Sequence, residues 1–200
     1  MPTGVALRDP RRHLFDAAAR VLVRGGVAAL TSRAVTAEAG VAKGVLHRHF
    51  ADFDAFLVDL VLDRIAGVEA QGAALRERAG TGTVTGNLTA AMVELFEPVM
   101  SAIVVLVIAH DQLRDRLRAA GAARFPLAGE AVAAIAGYLR AERDLGRIAA
   151  GADVDVLAPT LIGAVQLLFT EHRGGEPAAG AVHKVVVTVL GDAIPGRATA

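Results

Sequence analysis

Positions 31–50, read as TSRAVTAEAGVAKGVLHRHF, constrain the fold more than any other stretch of the chain. Thr31 or Ser32 can cap a first short helix by offering a side-chain oxygen to free backbone N–H groups. Ala34, Val35 and Ala39 give that helix one apolar side. Gly40 follows where the chain must turn sharply, and glycine takes positive φ without a Cβ penalty. Val41 plugs the corner. Lys43 to Phe50 then reads as a second helix, with Leu46 and Phe50 inward at i, i+4 spacing and Lys43, His47 and Arg48 outward. A short helix, a glycine-centred turn and a helix with a basic outer face is the plan of a helix-turn-helix, whose second helix enters the DNA major groove.

The charge distribution agrees. The chain is neutral overall, but residues 1–50 carry eight Lys or Arg against three acids, a net charge of +5, and the rest carries −5. A basic end joined to a mildly acidic body suits a polyanion-binding module on a larger platform. His47 is a candidate for pH-sensitive phosphate binding, because imidazole titrates near neutrality. His47 and His49 stand at i, i+2 and do not face each other, which argues against a metal pair; His49 is expected to pack or bond within the domain.

The segment Arg11–Leu57 resembles the DNA-binding domain of the TetR (tetracycline-repressor-like) transcriptional regulators. The residues that carry the resemblance are the Ala17–Ala18 pair, Gly26, Thr31, Val35, Ala39-Gly40-Val41, Lys43-Gly44, Leu46 and His49-Phe50. There are departures. Ala42 stands where the family usually has Ser or Thr, His47 replaces a common Tyr, Thr36 a common Ala, and Phe53 a common phosphate-binding Lys. On the chemistry of contact, Thr31, Arg33 and His47 are assigned to the DNA backbone. Lys43, Val45 and Arg48 are assigned to base edges, and Gly44 lets the helix approach closely.

The remainder reads as helical throughout, giving an all-α chain of about nine helices. A DNA-binding domain is placed at 9–52 and an effector-binding and dimerisation domain at 53–200. Helix 1 runs from Asp9 or Pro10 to Arg24 with Leu14, Ala17, Ala18, Val21 and Leu22 inward, and Gly25-Gly26 stops it. A fourth helix starts after Asp52 and continues to about Arg76. A flexible loop is expected at 79–86, then a helix from Asn87. Val99–Leu113 is apolar enough to be buried on most sides, and 111–118 is a charged helix or the end of one. Further helices are expected over 128–147, from Asp153 to about His172, and from Glu176 to about Ala193.

The resemblance implies a cavity among the middle helices. Candidates to line it are Met92, Phe96, Met100, Ile103, Val104, Phe125, Tyr138 and Phe169, with His110 and Gln166 as polar anchors, and the effector expected is an apolar small molecule. It also implies that the last two long helices dock on a second copy, through Leu157, Leu161, Val165 and Leu168 in one and Val182, Val185, Val186 and Val189 in the other. A two-fold dimer is independently reasonable, since it sets two recognition helices one DNA turn apart, roughly 34–36 Å.

No motif for an enzyme stands out: G-x-S-x-G, H-E-x-x-H, a phosphate loop and a Cys nucleophile are all missing, and no catalytic residue, metal or cofactor is assigned. The N-terminus lacks a signal-like apolar core, the longest apolar run is too short to cross a bilayer, and a cytoplasmic location without membrane contact is expected. The reading is a ligand-responsive homodimeric regulator, most simply a repressor, acting on double-stranded palindromic DNA. Two alternatives stand beside it: a regulator of the same fold controlled by a protein partner, and a helical enzyme or carrier with a degenerate head.

Overall fold

The computed structural model describes residues 9–122, 125–171 and 179–195, and among these it is all-α, with ten α-helices, one 3-10 turn and no strand. In chain order the helices are α1 (Pro10–Ala29), α2 (Ser32–Glu38), α3 (Gly44–His49), α4 (Phe53–Glu77), α5 (Val84–Leu95), α6 (Pro98–Ala109), α7 (Asp111–Ala119), α8 (Ala128–Asp144), α9 (Val154–Glu171) and α10 (Ala179–Leu190). The start expected at Glu176 lies outside the described residues. Two compact units are present. The first takes the chain up to Asp63 together with Pro98–Ala122; the second takes Arg64–Glu97 and the chain from Ala123 onward.

In the first unit, Asp9 starts α1 by accepting the Arg12 N–H at 3.0 Å, and Leu14, Ala17, Ala18, Val21 and Leu22 are buried. Gly26, at φ 67°, breaks the helical path, so the turn up to Ala29 is a separate piece. Thr31 caps α2 by accepting the Ala34 N–H at 3.1 Å. The helix closes at Gly40, φ 65°, where the Val41 N–H donates back to the Thr36 carbonyl at 3.0 Å. Thr36 is buried, and its hydroxyl is satisfied by the Ser32 carbonyl at 2.9 Å. The second helix, α3, starts without a side-chain cap, as Ala42 leads one to expect.

Phe15, Phe50 and Phe56 form the head's aromatic core, with ring centroids 5.0 to 5.9 Å apart. Phe53 stacks on Phe56 at 5.5 Å, so the residue that departs from a common Lys extends this cluster instead. Asp52 caps α4, accepting the Ala55 N–H at 2.6 Å. Both α2 and α6 pack against α1. The expectation for the apolar run is corrected here: Ile103, Leu106 and Val107 are buried, but Val105 is 55% and Ile108 67% exposed. One covered face is enough to hold α6, and Arg114 finishes it by donating to the Val107 carbonyl at 2.9 Å.

In the second unit, α5 begins at Val84 rather than Asn87, because Thr83 accepts the Gly86 N–H at 3.0 Å and makes the cap. The preceding loop is anchored rather than loose. Asn87 donates to the Thr81 carbonyl at 2.9 Å and to the Tyr138 hydroxyl at 3.1 Å. Tyr138 in turn donates to Glu142, whose carboxylate accepts the Gly80 N–H at 3.3 Å and lies 3.4 Å from Arg147 Nε. Glu142 is fully buried, and this set of partners offsets the cost of removing its charge from water. Burial, and then the Glu142 carboxylate, push the Tyr138 phenol well above its ordinary range. The helix α8 stops at Asp144, short of the expected Arg147, and Gly146 turns the chain at φ 73°. Asp153 starts α9 by accepting the Asp155 N–H at 3.1 Å. In this unit α9 packs on α8 and α10, and α10 on α5. At Gly72 the backbones of α4 and α8 come so close that a Cβ there would sit 2.6 Å from that of Ala134. No single helix among the described residues is long and apolar enough to cross a membrane.

Candidate nucleic-acid interface

Leu46 and Phe50 are buried, and they fix which side of α3 faces out. At 3.6 residues per turn, Gly44 and Arg48 fall on the crest opposite that buried side. Lys43 and His47 lie along one flank, Val45 and His49 along the other. Lys43, Gly44, His47, Arg48 and His49 are exposed and Val45 is half-buried. The His49 side chain therefore does not pack within the domain as expected. Its carbonyl is what the fold uses, accepting from Arg11 at 3.4 Å. Thr31 and Arg33 are exposed at the start of α2, and the Thr31 hydroxyl proton remains available while its oxygen caps the helix.

Electrostatics separate the cations that hold the head together from those left outside. Arg20 and Arg24 both bind Glu38, each at 2.8 Å, and in that order they hold its carboxyl below the ordinary carboxylate range. Arg11 binds Asp59 at 2.6 Å and lies 4.6 Å from the centre of the Phe50 ring. Arg116 meets Asp52 at 3.1 Å and Asp54 at 3.5 Å. Among the described residues no ion pair takes Arg33, Lys43 or Arg48. Internal pairing thus consumes part of the head's positive charge; of the remainder, Arg33, Lys43 and Arg48 stand at α2 and α3 and Arg12 on α1. Arg11, Asp59 and Arg116 were not singled out from the sequence. Their partners are 48 and 64 positions away, and no local spacing signals such pairs.

The residues assigned to an effector cavity are divided between the two units. Met92, Phe96 and Tyr138 are buried in the second unit, where Phe96 stacks with Phe169 at 5.4 Å and Gln166 is half-buried. Phe125 is 68% exposed, which suits a surface position rather than a lining one. The Tyr138 hydroxyl is engaged by Asn87 and Glu142. Met100, Ile103, Val104 and His110 belong to the first unit, with Ile103 in its core and His110 exposed just before α7. A cleft of about 90 Å³ in the second unit is lined instead by Gln71, Gly72, Leu75, Ala91, Leu95 and Ala134.

The residues expected to dock on a second copy divide by burial. Leu161, Val165, Val182 and Val186 are fully buried in their own unit, and Leu157, Leu168, Val185 and Val189 are half-buried. The apolar side that α9 leaves open is turned about one residue from the expected stripe: Val156 is 58% and Leu167 65% exposed, with Gly163 exposed between them.

Residues 14–60 match the family model of bacterial regulatory proteins, tetR family. No curated protein matches the chain. Among solved structures, NemR of E. coli in its reduced form is 16% identical with a TM-score of 0.71, covering 93% of this chain and 97% of that chain. A TetR-family member from Streptomyces coelicolor is 22% identical with a TM-score of 0.63, covering 94% of this chain and 99% of that chain. FadR of Bacillus subtilis, solved in complex with stearoyl-CoA, is 16% identical with a TM-score of 0.63 and covers 92% and 98%. At these identities the likeness is one of fold.

Proposed function

From the premise that residues 14–60 carry the helix-turn-helix head of the tetR family of bacterial regulatory proteins, we propose that the chain is a DNA-binding repressor. In this reading it works in the cytoplasm as a homodimer and is released from its operator by a small molecule. The observation that carries the reading is the surface of α2 and α3. Arg33, Lys43 and Arg48 stand exposed there without counter-ions among the described residues, around a glycine crest that bulk does not obstruct. Thr31, Arg33 and His47 meet phosphates; Lys43, Val45 and Arg48 reach base edges. The dimer forms through the open side of α9, at Val156, Gly163 and Leu167.

For the effector, support comes from the fold shared with FadR, which binds stearoyl-CoA, and from the cleft beside Gly72. At about 90 Å³ that cleft is far smaller than the ~300–1,000 Å³ of a typical ligand site, so binding must widen it. An effector that binds the widened state preferentially shifts the population. Emptying a nearly full operator takes about 10⁴-fold preference, or ~5.5 kcal/mol. Selection of bound duplexes from random DNA, followed by a screen for molecules that release the selected sequence, tests the reading. Failure to enrich any palindrome at low salt would overturn it.

A further inference from the structure

The two flanks of α3 each end in an imidazole. One flank carries His47 behind Lys43 and the other carries His49 behind Val45, with Arg48 on the crest between them. Both histidine side chains are exposed. A helix seated in a major groove turns its crest and its leading residues to the base edges, while residues further along its two flanks meet the two phosphate strands. Building on the DNA-binding reading above, we propose that His47 and His49 are titratable phosphate contacts, one for each strand, so that DNA binding takes up protons and operator occupancy rises as pH falls.

Several charged groups stand on α3 and on the elements around it. On α3 itself the neighbours are Lys43 and Arg48. The helix α2 brings Arg33, together with Glu38, which Arg20 and Arg24 already hold. From α1 comes Arg11, whose guanidinium reaches the His49 carbonyl and is bound by Asp59. Beyond Phe50 stand Asp52 and Asp54, both engaged by Arg116. A phosphate bound beside the ring favours imidazolium over imidazole. The extra affinity is therefore present at low pH and lost as pH rises.

The test uses the full-length protein and a labelled random-sequence duplex of about 40 base pairs, with affinity read by fluorescence anisotropy at pH 6 and pH 8 across a salt series. A bound-state shift of one pKa unit at either residue gives roughly 6-fold tighter binding at pH 6 than at pH 8. Two added charges steepen the salt dependence of log K by about 1.8 at pH 6. The double variant His47→Gln/His49→Gln is expected to lose the pH dependence, whatever affinity it retains at pH 8. His47→Lys/His49→Lys is expected to bind tightly at both pH values. A duplex bound equally at pH 6 and pH 8, or a glutamine variant with the full pH response, overturns this inference alone. A duplex bound at neither pH overturns the DNA-binding reading with it.

Discussion

Arg116 of α7 lies 3.1 Å from Asp52, and that same carboxylate accepts the Ala55 N–H at 2.6 Å and starts α4. One side chain thus closes the end of the recognition segment and ties it to α7. The Ala55 N–H, and after it Arg116, hold the Asp52 carboxyl below its ordinary range.

A depressed carboxyl contributes stability above its unfolded value, and the contribution is lost as pH falls through the folded one. Asp52→Asn should therefore lower the melting temperature of the first unit at pH 7. The gap to the wild type should begin to narrow as pH falls below about 4 and close only below the depressed folded value, where both side chains are neutral. Circular-dichroism melts across that range decide it; a gap that stays constant with pH would mean the charge plays no part.

Lys43→Ala and Arg48→Ala should weaken DNA binding by different routes. If Lys43 meets phosphate as well as bases, its loss lowers affinity across sequences and reduces the salt slope by about 1. Loss of Arg48 from the crest should cost ~1–3 kcal/mol of discrimination at one base position. Competition between the selected duplex and single-base variants separates the two. Neither change should alter the melting temperature beyond the scatter of surface substitutions.

On α9 the buried and open sides predict opposite outcomes. Leu161→Ala removes a fully buried side chain and should destabilise the fold by ~2–5 kcal/mol. Leu167→Glu alters a side chain that is 65% exposed, so the subunit should fold normally. Sedimentation should then show monomers, with weaker binding to two-site DNA. If Leu167→Glu still sediments as the wild type does, the docking face lies elsewhere.

Tyr138→Phe deletes the donor to Glu142 and the acceptor for Asn87 within a buried network. Leaving such groups unsatisfied should destabilise the second unit by ~1–3 kcal/mol, read as an earlier denaturant midpoint with an unchanged slope. A silent substitution would mean that water substitutes for the hydroxyl.

The head was legible because its signals are local. Thr31, Gly40, Leu46 and Phe50 each declare their role within a few positions, through a cap, a positive φ or an i, i+4 pair. The body was legible as helices but not as a site. Helical spacing fixes the phase of a stripe only when polar residues mark the other side, and α9 has few of them. Val156 and Leu161 therefore look alike in sequence, although the first is exposed and the second has no accessible surface. The same ambiguity made Val105 and Ile108 look buried. Tyr138 reads as a cavity-lining residue in sequence, because its partners, Asn87 and Glu142, act only once α5 and α8 are side by side.

Gly44 offers a test in which stability and function move in opposite directions. It occupies the first turn of α3 with ordinary helical geometry, and a Cβ placed there would meet nothing within 4 Å. Gly44→Ala should therefore stabilise the free protein by ~0.4–1 kcal/mol, because alanine reduces the freedom of the unfolded chain and favours the helix. On the crest of a helix held against base edges, the same methyl group intrudes where the duplex must come close. Affinity for the selected DNA should fall even as the melting temperature rises. A variant that is more stable and binds DNA as well as the parent would show that the crest never closes on the groove.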